Sequence, residues 1–322
     1  MDAFPVSQHF LLSAKARTLS LASVMRLSDD EAYATFKQVR WPEGVHCPRC
    51  GCVETYEYRT RRIFRCKGCT AQFSVTTGTI FASRKLPHRD ILAAIAIFVN
   101  GAKGISALQL SRDLDVQYKT AFVMAHKLRE AMAAEANGRT LSGDVEIDGA
   151  YFGGYVKPEN RKEDRKDRRL LRNQTGKRKA VVVMRERQGQ TVTMVVEHES
   201  DAVPVIPTRV ANGSTVHADE AAAWDGLHAR FAMRRVNHSV IFSDDGACTN
   251  QAESYFSRLR RMEIGTHHHL SGRYLDAYAG EAAWREDHRR KPNGTLYAMV
   301  AKATMAHPVS KVWKGYWQRS AA

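Results

Sequence analysis

Near the start of the chain, Ala32, Phe36 and Val39 recur at helical spacing behind Ser28 and Glu31. A serine three residues ahead of a glutamate at the head of such a run is a capping box, so a short helix is predicted within residues 1–45. Residues 46–80 lose that period and are rich in turn residues and cysteine. It returns over residues 88–136. There the apolar run Ile91–Val99 suits a buried helix and is too short to cross a bilayer. Two further helical stretches follow, Gly104 to Asp113 and Val116 to Met132, around a turn at Leu114–Asp115. Ile105, Leu108 and Leu110 are expected to face inward from the first, and Phe122, Met124, Leu128 and Met132 from the second. From Gly143 onward the chain alternates strands and helices. Val145–Phe152, Ala180–Glu186, Thr191–Glu197 and Thr215–Ala218 are short, β-branched and apolar, and are predicted strands. A long helix is predicted from about Asn250 to Met262. No internal repeat or low-complexity tract interrupts the pattern.

A length of 322 residues implies two to three units, and 43% hydrophobic residues suffice for a sizeable core. Charge changes the picture more. The net charge of +15 points to a polyanionic partner, of which nucleic acid is the commonest; a merely soluble basic surface is the alternative. Nearly half of that charge lies in Lys157–Lys179, with eleven basic against four acidic residues, which reads as an exposed loop meeting DNA phosphates. No membrane span or secretory signal is visible. Five of the six cysteines crowd into residues 47–69, unlike a disulfide framework, so a cytoplasmic chain with reduced thiols is expected.

Cys47-Pro-Arg-Cys50 and Cys66-Lys-Gly-Cys69, fifteen residues apart, have the spacing of two knuckles on one tetrahedral zinc ion. Four unrelated buried cysteines are the alternative. Tyr56, Tyr58, Ile63, Phe64 and Phe73 are expected to supply strands and a small core, too small to fold without the metal. With four ligands and no open position, the site is structural, and Cys52 is a bystander. Arg49, Arg59, Arg61, Arg62, Arg65 and Lys67 make the module basic, fit for DNA or simply a solvated face.

The two helices around Leu114–Asp115 resemble a helix-turn-helix. That places Gln117, Tyr118, Lys119 and Thr120 where recognition residues meet base edges, with Lys127 and Arg129 at phosphates. An ordinary helical bundle is the alternative.

Three carboxylates complete the candidate chemistry. In Asp144-Val-Glu-Ile-Asp148, alternation sets Glu146 and Asp148 on one strand face, where a buried acid needs a partner or a metal. Asp219 ends the strand that starts at Thr215, with a helix N-cap as its competing role. Glu253 lies 34 positions later on the helix opened by Thr249-Asn250. Asn250 and Glu253 share a helix face, and Arg260 lies on it too; Asn250-x-x-Glu253 also fits a capping box that binds no metal.

The order of these segments resembles the DDE transposases of the RNase H-like superfamily, and more closely the zinc-ribbon-bearing ISXO-like insertion-sequence group. The matching stretches run from about Arg40 to Arg290. They are Trp41-Pro-Glu-Gly with the CPxCG knuckle, Thr79-Ile-Phe, the helical segment, and Glu146-Ile-Asp148-Gly-Ala-Tyr-Phe-Gly-Gly154. Thr249-Asn250-x-x-Glu253-Ser, Gly265-Thr-His-His268-His and Glu281-x-x-Trp-Arg285 complete them.

The resemblance implies an α/β catalytic core, an RNase H-like mixed sheet flanked by helices, with Asp148 on the first strand and Asp219 after the fourth. It implies four segments: an N-terminal helical segment (1–45), a zinc ribbon (46–80), a helix-turn-helix-like DNA-binding segment (81–140) and the DDE core (141–310). It implies two Mg2+ (or Mn2+) ions bridging Asp148, Asp219 and a third ligand, beside one structural Zn2+ on Cys47, Cys50, Cys66 and Cys69. One ion activates a water or DNA 3′-hydroxyl and the other stabilises the leaving oxygen. The group varies between an acid and asparagine at the third position; Glu253 is preferred to Asn250 because hard cations favour a third anionic oxygen. Arg260, with Arg261 beside it, and Arg285 match DNA-contacting positions. His268 matches a histidine near the active site, against the alternative of a surface-loop histidine.

The expected function is a DNA transposase that cuts its own element's terminal inverted repeats and joins them to target DNA. It would act as a homo-oligomer in a complex with double-stranded DNA, in a bacterial cytoplasm and nucleoid-associated when bound. A DNA-binding regulator with an inert core and a structure-specific nuclease on the same fold are the alternatives. The regulator would be favoured by loss of one acid, and candidates for all three are present.

Overall fold

In the computed structural model, residues 9–154, 159–166, 173, 176–187, 189–236 and 248–319 are described. Residues 157–158, 167–172 and 174–175 of the basic stretch lie outside them, and 159–166 are exposed. The elements in chain order are α1 (Leu21–Met25), α2 (Asp29–Arg40), β1 (Thr55–Tyr58), β2 (Ile63–Cys66), β3 (Gln72–Phe73), α3 (His88–Asn100), α4 (Ala107–Asp113) and α5 (Tyr118–Ala134). They continue with β4 (Asp144–Gly153), β5 (Arg178–Glu186), β6 (Thr191–Val196), β7 (Thr215–Asp219), β8 (Ala232–Val236), α6 (Asn250–Met262), α7 (Leu275–Asp287), α8 (Asn293–Ala306) and α9 (Tyr316–Arg319). Two units divide the chain. Residues 1–135 and 290–322 form one, and residues 136–289 form the other.

In the first unit the Ser28/Glu31 capping box opens α2 as expected, and Ala32 and Phe36 are buried. Strands β1, β2 and β3 make a three-stranded antiparallel sheet. Its core is Phe64 stacked on Phe73 at 5.4 Å, with Trp41 edge-on at 5.5 Å. Tyr56, expected in that core, is 58% exposed. Every residue of Ile91–Val99 is buried in α3. Ser106 caps α4 through the Gln109 N–H, and Asp115 turns the chain with φ +50°. Leu110 is buried; Leu108, two residues earlier, points away and is half exposed, because a helix turns about 100° per residue. Helix α8 packs on α2, α3 and α5. The second unit therefore ends at 289, short of the expected 310, because the apolar face of α8 is buried in the first.

The second unit is built on a five-stranded mixed sheet in the order β6-β5-β4-β7-β8. Strands β4, β5 and β6 pair antiparallel; β7 and β8 run parallel to β4. Three antiparallel strands followed by two parallel ones, with the first strand central, is the RNase H-like arrangement. The strand β8 was not foreseen: Ala-Met-Arg-Arg-Val lacks an apolar alternation, as an edge strand can. Alternation on β4 divides the core. Ala150 and Phe152 pack with α6 and α7 on one face, and Val145 and Ile147 pack on the other with Trp224, Leu227 and Ile206. That second face is covered by 3₁₀ turns at Glu199–Ala202, Ile206–Thr208 and Ala222–Ala229 rather than by α-helices. No helix among the described residues is long and apolar enough to cross a membrane.

Candidate active site

The strand register brings the first two acids level. Glu146 on β4 is opposite His217 on β7, so two residues further along the parallel pair stand Asp148 and Asp219. Both are half-buried. Asp148 accepts the Gly149 N–H at 2.7 Å. Burial pushes its pKa up to about 7; the Gly149 N–H opposes this, and the charges of Asp219, Glu199 and Glu253 add to it. Asp148 therefore feels both other expected acids electrostatically, and a fourth as well.

Asp219 also accepts the Ala221 N–H at 3.2 Å, so part of its capping role is realised beside the acidic one. The other capping alternative is not. Helix α6 has Thr249 as its N-cap with no side-chain cap bond, which puts Asn250 and Glu253 at the first and fourth helical positions. Both are exposed. The first-turn donors go elsewhere: Gln251 N–H at 2.8 Å and Ala252 N–H at 3.2 Å donate to the Glu146 carboxylate on β4.

Glu199 had no motif to announce it. It follows β6 in the first 3₁₀ turn, and its neighbour Ala202 belongs to the cluster on the far face of the sheet. Gly149 makes its approach possible, since a Cβ there would lie 2.6 Å from the Glu199 carboxyl carbon. Burial, then Asp219, raises the Glu199 pKa. Among the described residues neither Asp148 nor Glu199 has an arginine or lysine ion-pair partner. The same is true of Asp219, and no three of these acids bring oxygens within 4.8 Å of one another. Hard oxygens of this kind suit Mg2+ or Mn2+.

Other expected residues are distributed differently. Arg260 and Arg261 are exposed near the end of α6, with the Arg260 guanidinium 5.7 Å above the Phe256 ring. His268 is exposed with φ +61°; with His269, Lys177, Ser271, Gly154 and Gly272 it lines a cavity of about 520 Å³ that none of the acids lines. Arg285 is not a surface contact: it is 7% exposed and bonds Glu281, itself 0% exposed, at 2.8 Å. Nearby, Glu286 is ringed by Arg185, Arg258 and Arg289.

In the first unit, Gln117, Tyr118, Lys119 and Thr120 are all exposed at the start of α5. Lys127 is half-buried, which lowers its pKa. Arg129 is 1% exposed with its guanidinium 5.5 Å from the Phe98 ring, so burial removes it from any phosphate-binding set.

The four cysteine sulfurs lie within 4.8 Å of one another, Cys47 to Cys69 at 3.7 Å and Cys50 to Cys66 at 3.5 Å. Tetrahedral zinc with bonds of about 2.3 Å requires sulfurs roughly 3.8 Å apart, so the thiols fit. The Cys69 N–H lowers the Cys66 pKa to about 6, favouring the thiolate a metal needs. Cys52 stands outside the set and contacts the Glu54 carbonyl at 3.8 Å.

Known proteins agree with this division. Residues 140–287 match the ISXO2-like transposase domain, and residues 27–72 match a transposase zinc-ribbon domain. A protein described as an uncharacterized protein in transposable element ISH50 of Halobacterium salinarum is 26% identical over 279 residues, covering 83% of this chain and 93% of the relative. Solved structures of the Mos1 strand transfer complex and a pre-cleavage Mos1 transpososome share 11% identity, each over 66% of this chain and 78% of theirs. Their TM-scores of 0.26 and 0.25 are too low to bear on function. In the order zinc ribbon then transposase core, the two domain matches make the chain similar to the zinc-ribbon-bearing ISXO2-like transposases over residues 27–72 and 140–287.

Proposed function

We propose that this transposase cuts DNA at the ends of its own insertion sequence and joins those ends to target DNA, with Asp148, Asp219 and Glu253 holding two divalent ions. The observation that carries this is the uncompensated charge at Asp148. Elsewhere in the same unit, buried Glu281 and Glu286 have arginines built against them. Asp148 instead faces Asp219, Glu199 and Glu253, and its pKa rises to about 7. Such a group of acids calls for cations from solution. Mg2+ or Mn2+ bound there supplies an activated water or 3′-hydroxyl and stabilises the leaving oxygen of the phosphodiester.

The protein's part is orientation. The β4–β7 register sets Asp148 beside Asp219, and α6 brings Glu253 across from the helical face. Glu253 is favoured over Asn250 as third ligand because hard cations favour a third anionic oxygen, and its charge reaches Asp148. The exposed Gln117, Tyr118, Lys119 and Thr120 are assigned to base edges, and Lys127, Arg260 and Arg261 to the DNA backbone. Cys47, Cys50, Cys66 and Cys69 hold one structural zinc. Bridging two element ends calls for more than one copy, so a homo-oligomer is assigned to the DNA complex.

Magnesium-dependent cleavage of DNA carrying the element's ends is expected to vanish in Asp148→Ala and in Asp219→Ala. Retained cleavage in either variant overturns the two-ion site. Comparing Glu253→Ala with Asn250→Ala assigns the third ligand; full activity in Glu253→Ala moves it to Asn250.

A further inference from the structure

Behind the acids lies a second layer of polar side chains. Glu146 precedes Asp148 by two residues on β4, and His217 precedes Asp219 by two on β7. Gln251 and Ala252 immediately precede Glu253 on α6. One buried network joins all three places. The Glu146 carboxylate is 1% exposed; one oxygen accepts the Gln251 and Ala252 N–H groups, and the other accepts Arg187 Nε–H at 2.9 Å. Arg187 Nη2 donates to the Cys248 carbonyl at 3.2 Å, just ahead of α6, and approaches His217 Nδ1 at 3.3 Å. With Nδ1 accepting from Arg187, the His217 tautomer carries its proton on Nε2 and donates to Asp144 at 2.8 Å.

We infer that Glu146 is a positioning residue: with Arg187 it clamps the N-terminus of α6 to β4 and so sets the distance from Asp148 to the third ligand. The inference rests on the two-ion reading above. Glu146 and Gln251 are 105 residues apart in the chain, so their proximity is a tertiary feature. A carboxylate is the suitable group because it takes two orphan N–H donors, opposes the positive end of the helix dipole and neutralises Arg187. It is also confined: every hydrogen bond it makes goes to the helix start or to Arg187 and the neighbouring Cys248. The acid that holds the helix is thereby kept from competing for the ions.

The test is Mn2+ affinity of the zinc-loaded full chain, read by water-proton relaxation, with thermal unfolding measured on the same samples. Asp148→Asn reports on the ion site itself. Glu146→Ala is expected to weaken Mn2+ about tenfold or more, the size typical of groups that orient metal ligands. Glu146→Gln retains an oxygen for the helix donors and is expected to stay within about threefold of the wild type. In a Glu253→Ala background, or Asn250→Ala if that residue is the ligand, Glu146→Ala should cost nothing further. A role confined to stability would instead lower affinity equally in every background. Should Glu146→Ala fail to fold, Glu146→Asp keeps the charge beside Arg187 but falls short of the helix, and the same weakening is expected. Wild-type affinity in both Glu146→Ala and Glu146→Asp, or an undiminished loss in both ligand-deleted backgrounds, overturns the clamp. Mn2+ binding that is absent from the wild type or unchanged in Asp148→Asn overturns the ion site and the clamp with it.

Discussion

The cysteine site and the carboxylate site prepare for metal in opposite ways. The four thiols already sit at the spacing of a tetrahedral zinc ion, with Cys47–Cys69 and Cys50–Cys66 at 3.7 and 3.5 Å. The carboxylates are gathered by the sheet register and α6, and Asp148 is pushed towards protonation. A structural site in so small a module folds together with its metal. The proposed ion site instead rests on a sheet and helix of a larger unit, with Asp148 surrounded by other acids.

The largest expected effect breaks the first half of that contrast. Stripping zinc with a chelator, or substituting Cys66→Ala, should unfold the ribbon, since structural zinc contributes on the order of 10 kcal/mol to such small domains. Loss of dispersed amide signals from residues 46–80 would show it; a ribbon that stays folded without zinc would contradict it. Next, Arg285→Ala should cost up to about 3–5 kcal/mol of stability by removing a partner of the fully buried Glu281, with no change in the salt dependence of DNA binding. A change in that salt slope at full stability would return Arg285 to the DNA surface.

The second half of the contrast has a pH signature. Asp148 has a folded pKa of about 7, above its unfolded value, so the folded state binds the extra proton between the two. Metal-free stability should therefore fall as pH rises from about 4 to 7 and level off above. Asp148→Asn should remove that fall and stabilise the metal-free protein at pH 8 by about 2–4 kcal/mol, allowing for partial exposure. Denaturant unfolding of both proteins at pH 5 and pH 8 checks it. Smaller still, Glu199→Gln should stabilise the metal-free chain at pH 8, by less than Asp148→Asn because Glu199 is partly exposed. Unchanged or lower stability would place Glu199 outside the group.

The same contrast separates what could be read from the sequence. The zinc site is local: two CxxC pairs carry all four ligands, so spacing alone identifies it. The two helices around Leu114–Asp115 and the span of α6 were legible because period and turn residues are local as well. Asp148, Asp219 and Glu253 emerged through strand context and family resemblance. Glu199 and Arg187 did not, because each acts through contacts between distant segments. Glu199 depends on the missing side chain of Gly149, and Arg187 follows β5 and meets Glu146 across the sheet. Arg129 and Arg285 show the converse limit: a basic residue in a basic protein suggests DNA, yet Phe98 and Glu281 bury them. The edge strand β8 and the placement of α8 in the first unit are likewise decided by partners, not by local pattern.

The central claim is that Asp148 anchors a divalent-ion site. Its most direct test is the unfolding temperature of the zinc-loaded protein at pH 8, with and without Mn2+, in wild type and Asp148→Asn. Mn2+ should raise the wild-type midpoint, by relieving the repulsion around Asp148, and leave that of Asp148→Asn unmoved. An equal rise in both proteins would contradict the account.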